Sequence, residues 1–360
     1  MTGTLTAVTP TVEEIDEQLV CTQILDITHD VKSFVLEPVE AQFVRFDPGQ
    51  YLTITVEVEV EGAELERCYT ISSPPTRPGA LTITVKRVPG GPVSNRLHDA
   101  LAVGDRLRVS GPYGGFSVAR HPAPKYLFLS AGSGITPLMS MTQTLHDRGE
   151  PTDLVLLHSA RTPEDIIFRD ELKIVASRRG VYVHAICEAD SPTERWSGLS
   201  GRLSLPMLLA LAPDLHDREI FVCGPPPYMR SVRDMLELAG ADPARRHEET
   251  FVIGTPVPHP GPADRAGSAT SRAEQFTIEF RRSRRTIECS SDDTILAAAQ
   301  RAGLGQPSSC GEGICGTCQS TLLDGRVDMS HAGGIRPREI AQNKILICCS
   351  TPLEDLIIDA

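Results

Sequence analysis

The sequence predicts a multidomain protein made of an antiparallel β-barrel, an α/β domain with a parallel sheet, and a smaller α+β domain. Three observations predict this. Residues 1–118 contain short β-type runs separated by turn signals, and residues 119–252 alternate apolar strands with helical segments. Residues 275–360 follow a stretch rich in Pro, Gly and Ala and carry clustered cysteines. A chain of 360 residues is also too long for one compact core.

Composition and charge exclude some classes of protein. The hydrophobic content is 40%, and no apolar run approaches the length of a membrane span. The N-terminal stretch lacks the basic and apolar regions of a secretory signal, so a cytoplasmic location is predicted. The net charge of -12 disfavours nucleic acid as a partner and leaves open docking to a basic face of another protein.

The predicted barrel contains two candidate ligand-binding patterns. Its strands are expected over 19–28, 31–38, 51–60, 66–72, 81–88 and 105–111. Within one strand, Arg67 and Tyr69 share a face, where an arginine can clamp a phosphate and a tyrosine can cover a ring. A core tyrosine beside a surface arginine fits this pattern equally well. The second pattern is the glycine turn at 90–91, which opens a helix capped by Ser94 or Asn95 and can receive a pyrophosphate.

The α/β domain places its candidate ligand-binding residues at strand ends. Strands are predicted at 125–130, 153–158, 181–187 and 219–223, with helices near 137–148, 164–178, 204–212 and 226–239. Ligands bind at the C-terminal ends of parallel strands. The first strand runs into the loop Gly132-Ser133-Gly134, which presents a helix N-terminus although it departs from the G-x-G-x-x-G fingerprint. The last strand ends in Cys223-Gly224-Pro225.

Residues 253–274 are predicted to be a linker, followed by a β-grasp pattern that encloses a redox metal site. Cys310, Cys315 and Cys318 have the C-x4-C-x2-C spacing that binds a 2Fe-2S cluster together with one remote cysteine. Cys348 is the expected fourth ligand, and the adjacent Cys349 stays open because neighbours on a strand face opposite sides. A structural zinc site is the alternative, although zinc hooks usually come as two matched pairs.

Three segments of the barrel together resemble the ferredoxin-NADP reductase family. They are RCYTIS, GGPVSNRLHD and GPYGGF. The resemblance implies that Arg67 binds flavin phosphate, Tyr69 stacks on the isoalloxazine and the Thr70 hydroxyl lies near the reactive ring nitrogen. It also implies FAD rather than FMN. The phosphate turn would contain Gly91, Val93 and Ser94, and Phe116 would lie on the adenine side.

The pairing of G-x-G-x-T-P with C-G-P is similar to the nicotinamide site of the same family. The residues implied to line that site are Gly132, Gly134, Thr136, Cys223, Gly224 and Pro225. Glu249 and Phe251 are implied to approach the flavin edge, and Thr70, Cys223 and Glu249 form the expected catalytic set. Cys223 fits a small core residue equally well.

The order of the three domains resembles the branch of this family with a C-terminal ferredoxin domain, which includes reductase components of Rieske-type oxygenases. Nicotinamide gives two electrons as a hydride and a 2Fe-2S cluster accepts one, so a flavin belongs between them. The expected function is electron transfer from NADH through FAD and the cluster to a protein acceptor, first of all an oxygenase component. A hybrid-cluster protein or a P450 is the alternative acceptor, and an electron-transfer subunit that does not use nicotinamide is the alternative class.

The choice of NADH over NADPH depends on the charges after the second α/β strand. A 2'-phosphate needs cations, and Arg161 and Arg202 are accompanied there by the carboxylates of Glu164, Asp165 and Glu188. These charges favour NADH and leave NADPH open.

Overall fold

The structure is a computed structural model that describes residues 11–57, 64–149, 152–250, 274–304, 306, 313, 318–331, 335 and 337–359. The chain divides into two compact units, one up to Ile253 and the other from Gly254 onward. Among the described residues, no helix combines the length and the apolar character needed to cross a bilayer. Phe251, Cys310 and Cys315 lie outside the described residues, as does most of the predicted linker.

The first part of unit 1 is a nearly closed antiparallel barrel. Its main sheet has the order β6-β5-β8-β2-β3-β7, and a bridge between Ile71 and Ile83 joins the two ends. Apolar side chains fill the interior, among them Phe34, Leu52 and Ile54. The elements are β1 (Thr11–Val12), β2 (Ile15–Thr28), β3 (Val31–Pro38), β4 (Phe43–Val44), β5 (Tyr51–Glu57), β6 (Glu64–Thr70), β7 (Leu81–Lys86), α1 (Pro92–Asp99) and β8 (Arg106–Tyr113).

The second part of unit 1 is a six-stranded parallel sheet with the order β12-β11-β10-β9-β13-β14. The chain leaves β9 in one direction and later returns to its other side with β13, so β9 and β13 flank the topological switch point where α/β sheets bind ligands. The elements are β9 (Lys125–Ala131), α2 (Ile135–Asp147), β10 (Asp153–Ala160), α3 (Arg169–Ala176), β11 (Val181–Cys187), β12 (Leu199–Ser200), α4 (Leu205–Leu211), β13 (Glu219–Gly224), α5 (Pro226–Leu238) and β14 (Arg246–Thr250).

The barrel and the parallel sheet are held together by contacts from helix α2. Asp147, at its end, accepts two hydrogen bonds from the guanidinium of Arg77 at 2.8 and 2.9 Å. Ser140 donates to the backbone oxygen of Ser73 at 2.8 Å, and Val31 of the barrel packs in the core beneath α2. These contacts fix the loop that precedes α2 relative to the barrel.

Unit 2 is a mixed five-stranded sheet with the order β16-β15-β21-β17-β19, together with helix α6, which confirms the β-grasp prediction. The Thr294 hydroxyl accepts from the Ala297 amide and begins α6, and Gly303 follows the helix with φ +73°. The elements are β15 (Gln275–Phe280), β16 (Arg285–Ser290), α6 (Ile295–Arg301), β17 (Gln319–Asp324), β18 (Val327–Met329), α7 (Pro337–Ile340), β19 (Lys344–Leu346), β20 (Ser350–Pro352) and β21 (Leu356–Asp359).

Candidate functional site

One of the predicted flavin-binding residues of the barrel, Thr70, has a buried hydroxyl without a hydrogen-bond partner among the described residues. Thr70 is the last residue of β6 and is 3% exposed, and its Oγ1 has no hydrogen-bond partner within the described residues. A buried polar atom left in this state is costly unless a ligand satisfies it. Tyr69 beside it is half-buried, and burial raises the pKa of its phenol. The arrangement therefore fits a bound flavin that accepts a hydrogen bond from Thr70.

The glycine turn at 90–91 opens a helix as predicted, but the predicted cap is wrong, because Gly91 is the N-cap and Ser94 and Asn95 lie inside the helix. Helix α1 begins after Gly91 with Pro92 in its first turn, and the amide of Val88 donates to the Ser94 hydroxyl at 3.1 Å. A Cβ on Gly91 would lie 2.8 Å from that hydroxyl oxygen, so the turn leaves no room for a side chain. Val93 and Ser94 are both buried. Ser94 therefore shapes the turn, and the backbone amides at the start of α1 are the groups that can meet a phosphate.

Phe116 lies in the core between the barrel and the parallel sheet. It is 8% exposed and packs edge-on against Phe221 of β13, with ring centroids 5.3 Å apart. This position does not test the predicted contact with adenine, which stays a prediction.

The two predicted nicotinamide motifs meet at the switch point. A Cβ on Gly134 would lie 2.2 Å from the backbone oxygen of Cys223, so the loop after β9 touches the end of β13 directly. The turn Gly132–Gly134 also lies near β7 of the barrel. Thr136 is buried, and its hydroxyl donates to the Ser133 backbone oxygen at 3.0 Å. Backbone atoms therefore meet at this point, which would allow a flat ring such as the predicted nicotinamide to approach closely.

A row of polar side chains crosses the parallel sheet at this level. Ser130 of β9 pairs in register with His158 of β10 on one side and Cys223 of β13 on the other, and Cys223 pairs with Glu249 of β14. The Ser130 hydroxyl lies 2.9 Å from His158 Nδ1, and burial lowers the pKa of that imidazole to about 3. Ser130 and His158 are not among the residues predicted from the sequence, because only the strand register shows that they extend the row.

The predicted catalytic residues of this row carry no charge at neutral pH. Glu249 is 4% exposed, its Oε2 has no partner within the described residues, and burial raises its pKa from 4.5 to about 8. Burial also raises the pKa of the Cys223 thiol well above its ordinary value, with the Glu249 charge as a smaller cause. Cys223 is therefore a thiol and not a nucleophile at pH 7. The predicted hydride acceptor would therefore have no anion beside it.

We expect the pH dependence of flavin reduction to report Glu249. Above pH 8 its carboxyl group ionises and places a buried negative charge near the predicted hydride acceptor, so we expect the rate of flavin reduction to fall about fivefold, which corresponds to about 1 kcal/mol. Glu249→Gln keeps a neutral donor of similar shape, so its rate should match that of the wild type at pH 7 and stay flat up to pH 9. Stopped-flow reduction by NADH of both proteins checks this, and an unchanged inflection near pH 8 in the variant would contradict it.

The same substitution should change stability with a defined sign. The folded protein holds the Glu249 proton between pH 4.5 and about 8 while the unfolded chain has released it, so this group lowers stability as pH rises through that window. The free energy of unfolding of Glu249→Gln should therefore exceed that of the wild type by most at pH 8, and the difference should vanish at pH 4.5. Urea denaturation of the cofactor-loaded proteins at both pH values measures the difference.

In unit 2 the described part of the predicted cluster site is compact. Cys318 and Cys348 are 3% and 5% exposed, and the amide of Ile347 donates to the Cys318 backbone oxygen. The amide of Gly313 donates to Cys348 Sγ at 3.3 Å, which is the kind of contact that stabilises a thiolate. Gly313 has φ +68°, and a Cβ there would lie 2.6 Å from Cys349 Sγ. These positions fit a loop that wraps a cluster with Cys348 as a ligand.

The prediction that Cys348 and Cys349 are neighbours on one strand is wrong. The run 344–350 is not one strand, because β19 ends at Leu346 and residues 347–349 form a turn before β20. The alternation of faces along a strand therefore does not separate Cys348 from Cys349. Cys349 Sγ lies 3.6 Å from the Leu346 backbone oxygen, to which its thiol donates.

The fold and the site define an oxidoreductase with a flavin domain, a nicotinamide domain and a ferredoxin domain. Family models match in that order: the oxidoreductase FAD-binding domain over residues 18–118, the oxidoreductase NAD-binding domain over 128–234 and the 2Fe-2S iron-sulfur cluster binding domain over 278–353.

The chain belongs to the ferredoxin-NADP reductase-like family of oxygenase reductase components with a C-terminal 2Fe-2S domain. It is 43% identical over 345 residues to the glycine betaine monooxygenase reductase subunit of Pseudomonas aeruginosa, covering 94% of each chain. It is 42% identical to the stachydrine N-demethylase reductase subunit of Rhizobium meliloti, covering 96% of each. The structure of phthalate dioxygenase reductase matches with a TM-score of 0.57 and 25% identity, over 96% of this chain and 98% of that one.

Proposed function

We propose that this protein takes electrons from NADH and delivers them to the oxygenase component of a system that oxidises an N-methyl group of a quaternary ammonium compound. The observation that carries the proposal is the likeness over nearly the full chain to the glycine betaine monooxygenase and stachydrine N-demethylase reductase subunits. FAD, when bound, would supply a group that can take two electrons from nicotinamide and give them one at a time to a 2Fe-2S cluster. A cytoplasmic location is part of the proposal.

The residues of the chain would bind and orient the two rings. Thr70 supplies a buried hydroxyl on the flavin side, and Arg67 and Tyr69 lie on the same strand. Gly134 and Gly224 leave the nicotinamide crevice free of side chains, and Pro225 begins the turn into α5. Because catalysis here depends on placing two rings in contact, the protein needs no charged acid or base at the transfer point.

The preference for NADH is supported by the pairing of two arginines, Arg161 after β10 and Arg202 after β12. Arg161 contacts Asp165 at 3.1 Å, and Arg202 contacts Glu188 at 3.2 Å. Both guanidinium groups already have carboxylate partners, so a 2'-phosphate would have to compete with these carboxylates. Comparing kcat/KM for NADH and NADPH tests this part of the proposal.

The test of function is reconstitution with an oxygenase component. Oxidation of an N-methyl group consumes O2, two electrons and two protons, and the hydroxymethyl product then releases formaldehyde. We expect glycine betaine-dependent formaldehyde formation when NADH, this reductase and a glycine betaine oxygenase component are combined, and none when the reductase is omitted. Rapid flavin reduction by NADH without formaldehyde formation would contradict the proposed oxygenase acceptor. Failure of NADH to reduce the flavin would contradict NADH as the proposed donor.

A further inference from the structure

Two histidines and one glutamate come together in unit 1 on the surface between the barrel and the sheet. They are His121, in the connection before β9, Glu219 at the start of β13, and His247 of β14. One ligand atom from each lies within 4.8 Å of the other two, and all three residues are half-buried. The rings of His121 and His247 stack with centroids 3.7 Å apart, and His247 Nε2 is 2.7 Å from Glu219 Oε1.

The backbone holds His121 in this position. The hydroxyl of Tyr126 donates to the His121 backbone oxygen at 3.3 Å and accepts from the Ala123 amide at 2.8 Å. Glu219 and His247 lie on adjacent parallel strands, and His247 is in register with Phe221, so both side chains are on the face that His121 covers. The three groups are therefore positioned by the fold and not by one mobile loop.

The charges around the cluster leave its donor atoms available. In the part of the chain that the structure describes, Glu219 has no lysine or arginine partner, and the ring nitrogens of His121 have no hydrogen-bond partner. Arg120, the adjacent cation, lies 3.6 Å from Asp47. One carboxylate with two imidazoles therefore has room for a dication without displacing a salt bridge to lysine or arginine.

A second His–carboxylate cluster shows the contrast. His29, Asp30 and Asp165 also approach one another, but Asp30 accepts from Lys86 at 2.9 Å and Asp165 from Arg161 at 3.1 Å. Cations of the protein already neutralise those carboxylates, so a metal ion gains little there.

We propose that His121, Glu219 and His247 bind a divalent transition-metal ion of the Zn²⁺ class. Two imidazoles and one carboxylate form a zinc donor set that leaves a fourth position for water, and the half-buried position allows that water to enter. Tetrahedral binding places ligand atoms roughly 3.3 Å apart. The His247–Glu219 contact would open slightly, and the His121 ring would rotate out of its stack with His247, because an imidazole binds a metal ion in the plane of its ring.

A metal ion bound at this site would connect three elements of the fold. The ion would join the connection after the barrel to β13 and to β14, and β14 carries Glu249 two residues beyond His247. Because the metal binds the folded arrangement, it should raise the melting temperature of the protein in proportion to its occupancy.

The test uses the full chain loaded with flavin and iron. After equilibrium dialysis against a few-fold molar excess of Zn²⁺, we expect the wild type to retain one zinc per chain more than the double variant His121→Ala/His247→Gln, with equal iron in both. His29→Ala is the matched control and should retain zinc as the wild type does. The thermal shift produced by Zn²⁺ should be present in the wild type and in His29→Ala and lost in the double variant.

Three outcomes would overturn the proposal: equal zinc in the wild type and the double variant, no zinc retained by the wild type, or loss of zinc in His29→Ala. If the double variant loses flavin or iron, Glu219→Gln replaces it, because it removes the charged ligand and leaves both rings in place. Zinc retention by that variant equal to the wild type would overturn the proposal in the same way.

Discussion

Cys348→Ser should yield a protein that NADH still reduces at the flavin but that passes almost no electrons to an oxygenase component. A serine hydroxyl keeps its proton far more firmly than a thiol does and binds iron much more weakly than a thiolate, so the iron content should fall close to zero. The residues predicted to bind flavin and nicotinamide lie in unit 1, whereas Cys348 lies in unit 2, so the first electron transfer should keep its rate. Iron analysis, the visible absorbance of the cluster and stopped-flow flavin reduction measure these three properties.

Cys349→Ser is the matched control, because it makes the same atomic change one residue later. The Gly313 amide donates to Cys348 Sγ, whereas the Cys349 thiol donates to the Leu346 backbone oxygen. We therefore expect Cys349→Ser to keep its iron and its electron transfer. The reverse pattern, with iron lost from Cys349→Ser and kept in Cys348→Ser, would move the fourth ligand by one residue.

The sequence predicted most of the secondary structure because the local patterns are strong. The helix expected near 137–148 is Ile135–Asp147, and the one near 226–239 is Pro226–Leu238. Proline in the first turn and apolar periodicity act locally, so a single sequence shows them. The strand order β12-β11-β10-β9-β13-β14 is different, because it depends on which side of β9 the chain returns to. That choice depends on packing between distant segments.

The residues of the candidate site also fall into those that local sequence predicts and those that only the fold brings together. The spacing of Cys310, Cys315 and Cys318 and the two glycine motifs could be recognised directly, since each lies within a few residues. The row formed by His158, Ser130, Cys223 and Glu249 could not be recognised, because its members come from four strands and only the register aligns them. A histidine inside the apolar run DLVLLH was the one local signal, since a buried imidazole needs a polar neighbour.

Gly134→Ala should cost more stability than any other single-methyl change in the nicotinamide crevice. The backbone of Gly134 has φ -63° and ψ -4°, which alanine adopts without strain. The methyl group is excluded by a steric clash, because Cβ would lie 2.2 Å from the oxygen and 2.4 Å from the carbon of the Cys223 carbonyl. Backbone atoms cannot rotate away, so the loop after β9 and the end of β13 must separate. We expect a loss of about 3 kcal/mol or more in the free energy of unfolding.

Gly132→Ala separates the effect of space from that of backbone conformation. A Cβ on Gly132 meets nothing within 4 Å, but its φ of +53° disfavours alanine by about 1–2 kcal/mol. In denaturant unfolding, the free energy of unfolding of Gly134→Ala should therefore be well below that of Gly132→Ala. Because the separation also widens the crevice, Gly134→Ala should raise the KM for NADH more than Gly132→Ala does. Equal stability and equal KM in the two variants would show that the loop and β13 do not need their direct contact, and the nicotinamide site would then have to lie elsewhere.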